Sequence, residues 1–108
     1  MGGYSFNLME SERLISAFSA LSDTTRLKIV MFLSARQRGA EFREGLSEEE
    51  ICFHIADSSS KFFSITHHLY ELEAAGLITI GRKDNLLICS LRSYMFESLA
   101  AELTAIAS

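Results

Sequence analysis

The chain has 108 residues, of which 48% are hydrophobic and 22% charged, with a net charge of −4 and an isoelectric point near 5.3. That is one ordinary domain with enough apolar material for a core, not a disordered chain. The acidic balance excludes a broadly basic, non-specific nucleic-acid binder but leaves room for a local basic patch. Two cysteines, Cys52 and Cys89, are too few for a disulfide scaffold. The opening MGGYSFNLMESERL has no secretory pattern, and no stretch approaches the roughly 20 apolar residues that span a bilayer. A soluble, cytoplasmic protein with no membrane partner is expected.

Residues 1–7 are expected to be flexible. Leu8, Leu14, Ile15, Phe18 and Leu21 then form an apolar stripe that predicts a first helix over 8–21. In SDTTRLKIVMFLSA, Asp23 or Ser22 can cap a second helix by accepting a bond from a free first-turn N–H. Leu27, Ile29, Val30, Met31, Phe32 and Leu33 place apolar groups on most of its sides, so it is expected to be buried. The polar stretch RQRGAEFREG is irregular, with a short strand expected around Phe42. Ser47 and Glu50 make a capping box that opens a third helix over about 48–56, and DSSS at 57–60 turns the chain.

KFFSITHHLYELEAAGLI, from Lys61, reads as one amphipathic helix that stops at Gly76. The period then changes to about two: LITIGR and LLICSL flank Lys83–Asp84–Asn85, which predicts a hairpin over 78–91. Residues 92–107 return to helical spacing through Tyr94, Met95, Leu99, Leu103 and Ile106. The sum is a single, mainly α domain with a small β-hairpin (α+β). Two turn-linked helices over 48–75 followed at once by a hairpin make a winged helix-turn-helix, whose second helix ordinarily enters a DNA major groove.

On a helical wheel centred on Ile65, Leu69 and Leu72 fall within about 40° and Phe62 within about 60°, so these four are core. The opposite side carries Phe63, His67 and Tyr70, flanked by Thr66 and Ser64. Ser64, Thr66 and His67 can bond base edges or phosphates, and Phe63 can pack on a thymine methyl. Lys61 and Tyr70, with Arg82 and Lys83 of the hairpin, are the candidates for holding the sugar–phosphate backbone. A protein contact accounts for an exposed Phe63 and Tyr70 equally simply, and a solvated turn for the two hairpin cations.

ALSDTTRLKIVMFL resembles the ALSDPTRLRIL signature of the ArsR/SmtB family of bacterial and archaeal regulators, and ITHHLYELEAAGLI resembles the VSRHLKVLREAGLV stretch of their recognition helix. The two motifs stand in the same order, and the similarity runs from about Ala20 to Leu103. The resemblance implies a homodimeric transcriptional repressor, joined through its first and last helices and binding double-stranded DNA at a palindromic operator. Thr24 stands where the family has its usual proline, and the recognition face is aromatic where the family's is polar or basic.

A metal sensor is poorly supported. Cys52 and His54 are two apart and diverge on a helix, and the last helix has no His, Cys or Asp. No metal and no cofactor are expected. A redox or persulfide switch through Cys52 and Cys89 requires their Cα atoms within about 7 Å; buried, inert thiols are the simpler account. No Gly-rich phosphate loop, carboxylate pair or Cys/His nucleophile arrangement supports an enzyme. Besides the repressor, two readings stay open: a thiol-responsive repressor, and a winged-helix protein–protein module that docks a partner on Phe63 and Tyr70.

Overall fold

The computed structural model describes residues 8–38, 45–56 and 64–108, with side chains from Ser11 onward in the first stretch. Five helices and a small antiparallel sheet follow the expected order. The segment 1–7, the expected strand around Phe42, the DSSS turn, Lys61, Phe62 and Phe63 lie outside the described residues. Among the described residues, no helix is long and apolar enough to cross a membrane.

Helix α1 (Leu8–Leu21) buries Ala17 and Ala20 against the core, with Leu14 and Leu21 half-buried beside them. It leaves Ile15 and Phe18 exposed. Helix α2 (Thr24–Gln37) starts at Asp23, whose carboxylate accepts the Arg26 amide at 3.0 Å. Ile29, Val30 and Leu33 fill the core. Burial on nearly all sides, expected from its apolar sequence, does not hold: Leu27 is 42% and Met31 62% exposed. The helix packs against its neighbours on one side only, and the opposite side stays open within this single chain.

Strand β1 (Leu46–Ser47) runs into α3 (Glu48–Ile55). The capping box is formed: the Glu50 amide donates to Ser47 Oγ at 3.1 Å, and Glu50 Oε1 accepts from the Ser47 amide at 3.3 Å. Helix α4 (Thr66–Ala74) is shorter than the sequence suggests. Ser64 and Ile65 are not helical, and Ile65 is the N-cap at φ −111°, ψ 3° with no side-chain capping bond. Ile65 is nevertheless wholly buried, so its place in the core follows the predicted spacing although its backbone is not helical.

The C-terminus of α4 is closed by a Schellman arrangement. The Leu77 amide donates to the Leu72 carbonyl at 3.0 Å and the Gly76 amide to that of Glu73 at 2.9 Å, with Gly76 at φ +79°. That turn leads directly into β2 (Ile78–Lys83), which pairs with β3 (Leu86–Leu91) from Ile78↔Leu91 to Lys83↔Leu86. Asp84 and Asn85, at φ 51° and 68°, form a two-residue turn of the I′ kind that suits strand twist. Lys83 is therefore the last strand residue, not part of the tip. The sheet order is β1-β3-β2, and α5 (Ser93–Ala107) packs Leu99 onto the core.

Gly45, at φ +102°, precedes β1; a Cβ there would lie 2.5 Å from the Cys89 carbonyl oxygen. Because that neighbour is backbone of the central strand, Gly45→Ala should cost about 2–3 kcal/mol through strain and forced separation of β1 from β3. Urea denaturation of the purified variant measures it, and an unchanged midpoint contradicts the assigned packing.

Candidate nucleic-acid interface

Ile65, Leu69 and Leu72 are fully buried, as their spacing predicts. They hold α4 on the core and fix which side of it faces outward. His67 and Tyr70 lie on that outward side, both exposed, and Ser64 is exposed just before the helix. Thr66 is half-buried and occupied: its hydroxyl donates to Glu48 Oε1 at 2.5 Å, and Ser64 Oγ lies 3.4 Å away. This bond braces the start of α4 against the start of α3, so a base contact by Thr66 would use its remaining acceptor capacity. The outward side also carries Glu71, which is exposed. Glu71 falls within about 40° of His67 on the helix, so a carboxylate stands beside the candidate base-reading residues.

His68 is not a contact residue. Its side chain is 15% exposed, and Nδ1 lies 3.3 Å from Arg26 Nη1 and 3.8 Å from Asp23 Oδ1. A guanidinium can only donate, so Nδ1 accepts and the proton of the neutral ring sits on Nε2. The same Arg26 donates from Nε to the Ala20 carbonyl at 2.8 Å, near the end of α1. One side chain thus ties α1, α2 and α4 together. Sequence reasoning misses Arg26; the available signal is an arginine three residues past a helix N-cap, within reach of a preceding helix's last carbonyls.

In the hairpin, Arg82 and Lys83 are exposed and consecutive in β2, so their side chains leave opposite faces of the ribbon. They straddle the wing near its tip instead of forming one patch. Cys89 is fully buried in the central strand, and burial pushes its thiol up to about 12, with Glu48 and Glu73 adding to the rise. Since the thiolate is the reactive form, this opposes a redox role for Cys89; Cys52 is half-buried against the core, and neither thiol is in a disulfide. Among the described residues, no three His, Cys, Asp or Glu side chains gather closely enough to hold a metal ion.

No protein-family model and no curated sequence matches the chain. Solved structures do. An ArsR-like transcriptional regulator from a Rhodococcus species matches at 24% identity over 93% of this chain and 84% of its own, with a TM-score of 0.70. An ArsR family transcriptional regulator matches at 22% identity over 87% and 86%, with a TM-score of 0.65. NolR from Sinorhizobium fredii matches at 20% over 95% of both chains, with a TM-score of 0.60. The chain has a winged helix-turn-helix fold. In it, α3 and α4 are the helix-turn-helix, β2 and β3 the wing, and the resemblance to ArsR-like regulators holds over nearly the whole chain at the level of fold.

Burial lowers the pKa of His68, assisted by His67 and Arg26; Asp23 and Glu71 act in the other direction. The folded protein therefore binds this proton less readily than the unfolded chain, whose imidazole titrates near its ordinary value of about 6.5. The contribution to stability is complete above that value and is lost as the pH falls below it. Urea midpoints at pH 7.5 and 5.5 should drop more for wild type than for His68→Gln; equal drops would remove His68 from the pH response.

Proposed function

We propose that the protein is a sequence-specific, DNA-binding transcriptional regulator that represses by binding a palindromic operator as a homodimer. The carrying observation is the outward side of α4, where His67 and Tyr70 are exposed on the helix and Ser64 just before it, above three fully buried side chains. His67 and Ser64 would read bases, with Thr66 able to join through its free acceptor capacity and Phe63 through an apolar contact. Tyr70, Lys61, Arg82 and Lys83 would hold the phosphates. Arg82 and Lys83 on opposite faces of the wing suit a ribbon that runs along one strand's backbone or into the minor groove. The Glu71 carboxylate beside His67 disfavours phosphates at that part of α4, and it is an acceptor suited to a cytosine amino group.

The homodimer is supported by the sides of α1 and α5 that the single chain leaves open. Ile15 is 66% exposed and Ile106 60%, with Phe18, Tyr94 and Leu103 on the same two helices exposed as well. Together they form apolar surface of the kind that marks a protein contact. A palindromic site requires two copies joined so that both α4 helices meet the same duplex.

Base readers and phosphate holders predict different failures. Arg82→Ala with Lys83→Ala should weaken binding on all duplexes alike and reduce the salt slope by about one for each phosphate no longer neutralised. His67→Ala should instead relax sequence preference, by about 1–3 kcal/mol between the preferred duplex and one altered at a single position. Fluorescence anisotropy on DNA from upstream of its own gene and on an unrelated duplex, across a salt series, measures both. Variants that leave affinity, preference and salt slope unchanged would overturn the assignment of these residues.

A further inference from the structure

Helix α2, the end of β3 and the start of α5 enclose an open groove of about 520 Å³. That volume is within the range of about 300–1,000 Å³ found for small-molecule sites. Its apolar floor is Val30, Met31, Ala35, Leu91 and Phe96. A second lobe of about 310 Å³ shares Ser34, Arg38, Leu91 and Ser93 with it and adds Gln37.

The two lobes differ in chemistry. The second contains hydroxyls, an amide and a guanidinium, and among the described residues no acid lines it. Gln37 Oε1 accepts the Leu91 amide at 2.8 Å, which identifies that atom as the oxygen and leaves the Nε2 hydrogens as donors. Arg38 is exposed at the C-cap of α2. Ser93 opens α5, whose N-cap Arg92 supplies no side-chain capping bond, so the positive end of that helix adds to the same field. Glu97, the carboxylate that the described residues bring to the groove, lines the apolar lobe only. The Arg38 guanidinium, with the α5 N-terminus, outweighs the partial negative charge at the C-terminus of α2, so an anionic head is favoured at this end and disfavoured beside Glu97, and the apolar floor calls for a hydrocarbon body.

We propose that the groove between α2, β3 and α5 binds a small amphipathic organic anion, with its acid group among Gln37, Arg38 and Ser93 and its apolar body on Met31, Leu91 and Phe96. Its use as an effector site rests on the DNA-binding reading above. The route for such coupling is short: α2 also carries Arg26, which bonds His68 of α4, and β3 is the inner strand of the wing.

The test titrates the whole 108-residue chain alone, without DNA, by calorimetry. The probes are 1-naphthylacetate, the neutral 2-(1-naphthyl)ethanol and the cationic 1-naphthylmethylamine. Wild type should bind the carboxylate about tenfold more tightly than the alcohol, the worth of one charge-assisted hydrogen bond, and the amine least. Arg38→Gln should erase the preference for the carboxylate, and Ala35→Phe, at an exposed position on the groove wall, should abolish binding of both. No binding to wild type, whether because a second copy closes the groove or because it admits no ligand, overturns the proposal. So does binding that neither variant alters. Because DNA is absent, these outcomes are independent of whether the protein binds an operator.

Discussion

The seating of α4 is the constraint on which the rest depends. An amphipathic helix of nine residues has too few hydrogen bonds to be stable by itself in water. It persists here because Ile65, Leu69 and Leu72 are wholly removed from solvent. Full burial of side chains of this size stabilises by about 1.5–3 kcal/mol each. The apolar contacts fix its depth, and polar ones fix its rotation and direction: Thr66 to Glu48 at one end, His68 to Arg26 in the middle, and the Gly76 turn at the other. The outward residues are whatever this seating leaves over, which is why a base-reading role can be argued from burial.

The same device links the helix to the wing. Gly76 takes a left-handed conformation, so the chain reverses within two residues and Leu77 and Ile78 are immediately buried. The Arg92 amide then donates to the Leu77 carbonyl at 3.0 Å, joining the start of the hairpin to its end. Helix and wing are therefore one mechanical unit. A groove contact by α4 and a backbone contact by Arg82 or Lys83 would be made together, and binding energy at one would position the other. This matters more in an acidic protein, where the favourable field comes from a few local cations and not from the overall charge.

Much of this is legible in the sequence because it rests on local rules. Ser47 with Glu50 defines the start of α3, Gly76 the end of α4, and the change of period after Gly76 the hairpin. The core residues of α4 follow from their spacing alone. Other features are hidden because they depend on long-range contacts. Helix α4 starts at Thr66, later than its periodicity indicates, since side-chain spacing does not fix the backbone conformation of Ser64 and Ile65. Met31 reads as core because its neighbours belong there, whereas exposure depends on which elements arrive opposite. Arg26 reads as an ordinary capping-turn cation, and the partner that ties it to α4, His68, lies 42 residues away in the chain. Among the site residues, the positions of Ser64, His67 and Tyr70 are legible, but not the prior engagement of Thr66 or the acidity added by Glu71.

The most direct test of the central claim is hydrogen–deuterium exchange of the protein alone and with a duplex from upstream of its own gene. If α4 and the wing together face DNA, added protection should appear in peptides covering Ser64–Glu71 and Arg82–Leu86, while α5 and the groove beside it stay unchanged. A duplex that binds but protects a different surface, or leaves both segments exchanging as in the free protein, would contradict the account.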